Sequence, residues 1–139
     1  MQPVMDRGDL EAFMRAEFPQ MAARFSVREV RPYGITVTMR AGEADLRPGG
    51  TVSGPAMFAL ADCAFYLATL AMIGPKALTV TTSLAIDFMR KPGPGEMRAE
   101  ARILKLGRSL SVGDVMLYSE GMEPPVAHAN VTYSIPPRG

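Results

Sequence analysis

The chain has 139 residues, 47% of them hydrophobic, enough for one domain with a real core and too few for a second. Fifteen Lys and Arg against fourteen Asp and Glu leave a net charge of +1, so neither a nucleic-acid surface nor an acidic tail is expected. One cysteine, Cys63, and one histidine exclude an internal disulfide and a Cys/His zinc cluster, and the lone thiol in an apolar setting fits a reducing, cytoplasmic compartment.

The opening residues MQPVMDRGDLEAF lack a basic stretch followed by an apolar core, so no secretory signal is expected. Asp9 is the expected N-cap of a short helix reaching about residue 19, with Leu10, Phe13, Met14 and Phe18 near helical spacing and Pro19 closing it. Strands are predicted over Phe25–Val30 and Gly34–Arg40 around the Pro32-Tyr33-Gly34 turn, ITVTM carrying the alternation. Ala41–Gly50 is polar and glycine-rich, a loop.

Next comes GPAMFALADCAFYLATLAMI, Gly54–Ile73, a helix about 30 Å long that Gly74-Pro75 ends. Its length matches a bilayer, but Asp62 at its centre and the absence of flanking cationic clusters point to a buried helix and no membrane. It is apolar nearly all round. A sheet covers one side of such a helix, and a second copy of the chain is expected to cover part of the other, giving at least a dimer.

After the helix the period becomes two. ALTVTTSLAIDFMR is a strand and Pro92-Gly93-Pro94-Gly95 a turn. EMRAEARILKL sets Met97, Ala99, Ala101 and Ile103 on one face, opposite Arg98, Glu100, Arg102 and Leu104. Gly107-Arg108 turns into SLSVGDVMLYS, where Gly113 is a candidate bulge, and VAHANVTYSI is the last strand. The order predicts an α+β fold, its last four strands an antiparallel meander with one helix across it. With no internal repeat or linker, residues 1–139 form one domain with a core of about 25–136.

The LADCAFY segment, FMRKPGPGE and LGRSLSVGDV, in this order and spacing, make residues 25 to 136 resemble a hotdog-fold protein of the acyl-CoA thioesterase superfamily, near the phenylacetyl-CoA thioesterase (PaaI-like) branch. The resemblance implies an antiparallel sheet wrapped around the long helix. It also implies homodimers joined sheet edge to sheet edge, often paired into tetramers, active sites at the dimer interface, and no metal or other cofactor. That branch has an Asn-x-x-Gly-x-x-His-Gly-Gly segment before the helix. Here Arg47 replaces the asparagine, Ser53 the histidine and Pro55 the last glycine, while Gly50 and Gly54 remain. The family's catalytic carboxylate matches Asp62, facing a glycine amide of the partner chain.

The residues themselves fit thioester chemistry. Gly54, at the helix N-terminus, presents a bare backbone N–H to a carbonyl oxygen, and Pro55 offers none. Ser53 is a natural N-cap; orienting a water or the carbonyl is its other reading. Asp62 lies about 12 Å further up the helix, so one carbonyl can meet both groups only if two helices pair antiparallel. Asp62 is either the base or a structural acid bonded to neighbouring hydroxyls. Of Thr81, Thr82 and Ser83, Ser83 is the hydroxyl expected to assist water. Arg90, Lys91 and Arg108 are candidates for coenzyme A phosphates. Arg47 would pair with Asp62, hold a carboxylated acyl group or be solvated. His128 reads as a locally bonded strand histidine and Cys63 as a poor nucleophile, its thiol held up by the neighbouring acid.

The leading expectation is acyl-CoA hydrolysis by Asp62-assisted water attack, the carbonyl held by Gly54 across a dimer interface. The alternative is a catalytically weak binder of acyl-CoA or lipid-like ligands; an enoyl-CoA hydratase ranks last, for want of an Asp and His pair. Eleven methionines, with Phe58, Phe65 and Tyr66, suit either core filling or a pliable pocket for an aromatic or medium aliphatic acyl group.

Overall fold

The computed structural model describes residues 1–137, so the last two residues of the expected domain lie outside the described residues. The chain begins with two short helices, α1 (Arg7–Glu17) and α2 (Pro19–Arg24). Asp6, not Asp9, is the N-cap of α1. The Asp6 carboxylate accepts from the Asp9 amide at 2.8 Å while the Asp9 carboxylate accepts from the Asp6 amide at 3.0 Å, a reciprocal capping box with Asp9 one turn inside. Pro19 does more than close α1: its ring pre-sets the first turn of α2.

Strands β1 (Phe25–Arg31) and β2 (Gly34–Arg40) form a hairpin, and a 3-10 turn at Glu43–Asp45 leads into α3 (Gly54–Ile73). Then come β3 (Val80–Phe88), β4 (Glu96–Leu106), β5 (Leu110–Ser119) and β6 (Ala127–Ser134). The six strands make one antiparallel sheet in the order β1-β2-β4-β5-β6-β3, with α3 against its inner face. This is the hotdog arrangement.

The sheet order corrects the expected four-strand meander. Only β4, β5 and β6 follow one another; β3 lies outside β6. The end of β3 is tied to the start of β6, where the Met89 and Arg90 amides both donate to the Val126 carbonyl, at 2.8 and 3.1 Å. Pro92 and Pro94 lack the N–H groups a ladder needs, so the connection leaves the sheet. As a result β3 is an edge strand.

β4 alternates as its sequence predicts, with Met97, Ala99, Ala101 and Ile103 buried. The bulge falls across from Gly113, at Leu104 of β4, where the register shifts between Ile103 and Lys105. Gly113 serves close approach instead. A Cβ there would collide with the Arg102 carbonyl and stand 2.6 Å from Cε1 of Phe65, so its bare backbone seats the largest fully buried side chain of α3.

Much of the second face of α3 is covered from within the chain. Leu10 and Met14 of α1 are fully buried, and Phe13 and Phe18 tilt against each other with ring centres 6.2 Å apart. Phe18 meets Tyr66 of α3 edge-to-face at 5.9 Å. Further along, the Val4 and Met5 amides both donate to the Ala71 carbonyl. The apolar character of α3 therefore carries no argument for a dimer.

Candidate active site

Asp62 is half-buried on α3 beside a cleft of about 500 Å³ whose walls include Phe18, Met21, Phe25, Tyr66 and Val80. Two hydroxyls converge on one of its carboxylate oxygens. Thr81 of β3 donates to Oδ1 at 2.7 Å and Tyr133 of β6 at 2.5 Å. The Tyr133 hydroxyl also lies 3.0 Å from the Asp62 main-chain carbonyl. Among the described residues no donor reaches Oδ2. Burial, with the Asp62 charge and hydrogen bond beside it, pushes the Tyr133 phenol far above its ordinary range, so it stays protonated and donates. Burial and then the Asp62 charge also push the Cys63 thiol up, which leaves it inert as a nucleophile.

The strand hydroxyl at the carboxylate is thus Thr81, not the expected Ser83. A bulge at Thr82 shifts the register, so that Thr81 pairs with Tyr133 and Ser83 with Thr132. Tyr133 points to the helix and Thr132 away from it, and Ser83 follows Thr132 to the outer face. Tyr133 is the partner that sequence reading passes over. The alternation of VAHANVTYSI does put it on the inward face with Ala127, Ala129 and Val131, where a phenol needs an acceptor.

A second cleft, of about 580 Å³, opens at the N-terminus of α3 between Arg47, Thr51, Met57, Phe88, Arg90 and Lys91. Ser53 is the N-cap, its hydroxyl accepting from the Ala56 amide at 3.2 Å. The Met57 amide donates to the Ser53 carbonyl and Pro55 has no N–H. Among the described residues the Gly54 amide finds no acceptor, so the free donor of this helix end is concentrated there. A Cβ on Gly54 would meet the Phe88 ring at 3.3 Å.

The cations divide. Arg47, Arg90 and Lys91 share the Gly54 cleft, Arg90 anchored by a 2.6 Å bond to the Pro125 carbonyl. Arg47 forms no ion pair with Asp62. Arg108 is not with them. Its turn is tied by the Ser109 carbonyl to Ile135, at the end of the sheet where β3 begins, whereas Arg90 and Lys91 follow the end where β3 stops. His128 bonds Asp114 at 3.0 Å in the outer-face pattern of β5 and β6, away from Asp62.

Asp62 and Gly54 therefore serve different clefts of one chain, as helix geometry requires. Strand β3 links them: Thr81 stands beside Asp62 near its start and Phe88 beside Gly54 at its end, about 23 Å apart along an extended strand.

Residues 49–133, more than half of the chain, match the family model described as the thioesterase superfamily. The chain belongs to this family. Among solved structures it is similar to a candidate thioesterase from Silicibacter sp. TM1040, at 50% identity over 99% of this chain and 96% of that one, with a TM-score of 0.91. It is also similar to a point mutant of the phenylacetic acid degradation protein PaaI from Thermus thermophilus, at 29% identity over 85% and 99% of the two chains and a TM-score of 0.72. Zebrafish thioesterase superfamily member 2 shares the fold at 20% identity over 94% and 95%, with a TM-score of 0.78. No curated protein matches significantly.

Proposed function

We propose that this member of the thioesterase superfamily hydrolyses acyl-CoA thioesters at sites built from two copies of the chain. The observation that carries the reading is the placement of Asp62 and Gly54 at opposite ends of one edge strand. β3 bonds β6 on one side only, and Val80 and Phe88 at its ends are 54% and 51% exposed. Pairing β3 antiparallel with its own copy sets the Thr81 end of one chain against the Phe88 end of the other, which brings an Asp62 to a Gly54. The same pairing moves the Arg108 turn of one copy toward Arg90 and Lys91 of the other.

In such a site the acyl group lies in the cleft beside Asp62 and the coenzyme A phosphates lie among Arg47, Arg90 and Lys91. Oδ2 of Asp62 takes a proton from water as the water oxygen bonds the thioester carbon. The carbonyl oxygen, gaining charge, is held by the Gly54 N–H at the positive end of α3. Collapse breaks the C–S bond, and the proton on Asp62 passes to the departing thiolate, giving a carboxylic acid and free coenzyme A. The unpaired thiol of Cys63 supports a cytoplasmic setting, and pairing of dimers into a tetramer completes the reading.

Thiol release from a panel of acyl-CoAs tests this. Asp62→Asn should lower kcat by about 100-fold or more with the dimer intact; unchanged turnover overturns the role. The second reading, a binder of acyl-CoA or lipid-like ligands, is favoured by Ser53, whose hydroxyl is engaged as the helix cap. Tight acyl-CoA binding without thiol release from the wild-type protein would select it.

A further inference from the structure

The two hydroxyls that meet at Asp62 come from different strands, and their geometry is uneven. Both hydroxyls load Oδ1, and among the described residues none reaches Oδ2. Tyr133 alone contacts the side chain and the main chain of Asp62 with one oxygen, which ties the carboxylate to its own helix turn. The ring that carries this oxygen is held firmly. It is 3% exposed and lies between Phe65 and Tyr66, each with its centre 5.8 Å away. Tyr66 cannot substitute as donor, because its hydroxyl is engaged by the Ala77 carbonyl at 3.1 Å.

We infer that Tyr133 is a positioning residue for hydrolysis: it clamps Asp62 through Oδ1, so that Oδ2 alone faces the cleft as the oxygen that accepts the proton from water. The inference rests on the reading of Asp62 as the base. A carboxylate in an apolar cleft without donors would turn toward solvent or take up a proton, and either would disable it. Thr81 adds a second bond to the same oxygen from an exposed strand, but its side chain is not packed as Tyr133 is. The other titratable groups near the carboxylate are Cys63 and Tyr66 of α3 and Arg24 of α2. Arg24 is paired with Asp45 at 2.6 Å, and none of the three bonds the Tyr133 hydroxyl.

Steady-state hydrolysis of an acyl-CoA by Tyr133→Phe, measured beside wild type and Asp62→Asn, tests the clamp. Tyr133→Phe should lower kcat by roughly 30-fold with KM within about 3-fold, a misplaced catalytic group. A lower melting temperature with kcat unchanged would mean a structural tyrosine and overturn the clamp. Should Tyr133→Phe fail to fold, 3-fluorotyrosine placed at 133 keeps the shape and strengthens the donor. Its kcat should then depart from wild type with KM held, and an unmoved kcat overturns the inference. If Asp62→Asn retains hydrolysis, the reading of Asp62 itself fails. If Asp62→Asn is dead and Tyr133→Phe behaves as wild type, only the clamp fails.

Discussion

Thr81 and Phe88 occupy the two ends of the same exposed strand, and each touches a different half of the proposed chemistry. Thr81 bonds the Asp62 carboxylate, and Phe88 borders the space in front of Gly54. Ala85 lies near the midpoint and is exposed. Under antiparallel pairing two copies of it would face each other closely, so Ala85→Lys would set like charges side by side on an edge that must bond. Light scattering should then report monomers and thiol release should vanish, while the thermal transition of the chain changes little. An active monomer would rule out the shared site.

The free amide of Gly54 is open to a change that deletes one atom pair. Gly54→Pro removes the N–H at the first helical position, where proline is well accommodated. Ser53 before it already has φ −74° and ψ 157°, the extended conformation a following proline requires. Phe88 is half exposed and can yield to the ring. The expected outcome is a fall in kcat of about 100-fold, the cost of losing an oxyanion donor, with melting within a few degrees of wild type. Kinetics beside a thermal melt check both halves.

Asp114 contributes to acid stability. Burial alone would raise its carboxyl, but hydrogen bonds from Arg102 at 2.8 Å and His128 at 3.0 Å, and the charge of these groups, hold it below its ordinary 3.8. A depressed folded value means that the unfolded chain takes up the proton first. The stabilisation is therefore complete above about pH 4 and is lost as pH falls further. Arg102 is largely exposed, so solvent screens the pair and the effect is small. Asp114→Asn should lower the melting temperature by about 3 °C at pH 7 and converge with wild type near pH 2. Equal differences at both pH values would contradict this.

Much of the architecture was legible because local chemistry and tertiary packing agree. Ser53, Pro55 and Gly74 mark the ends of α3, and β4 alternates without exception from Glu96 to Leu104. What escaped depends on contacts distant in sequence. Tyr133 and Asp62 are 71 positions apart, so nothing near either residue announces the bond. The bulge at Thr82 sends Thr81 and Ser83 to opposite faces where regular alternation would give them one, and TVTTS has no glycine to betray it. The place of β3 outside β6 follows from hydrogen bonds of Met89 and Arg90 that composition does not encode. The apolar α3 was rightly expected to be covered twice, but a helix wrapped in residues of any origin has the same pattern, and here α1 supplies them.

On the proposed pairing, the open side of β3 would also make the unit of function larger than the unit of inheritance. With halves of each site drawn from separate chains, two polypeptides disabled at opposite ends would mend one another: a hybrid pair of Asp62→Asn and Gly54→Pro keeps one whole site and concentrates both lesions in the other. Random mixing of two dead proteins would thus recover about a quarter of full turnover.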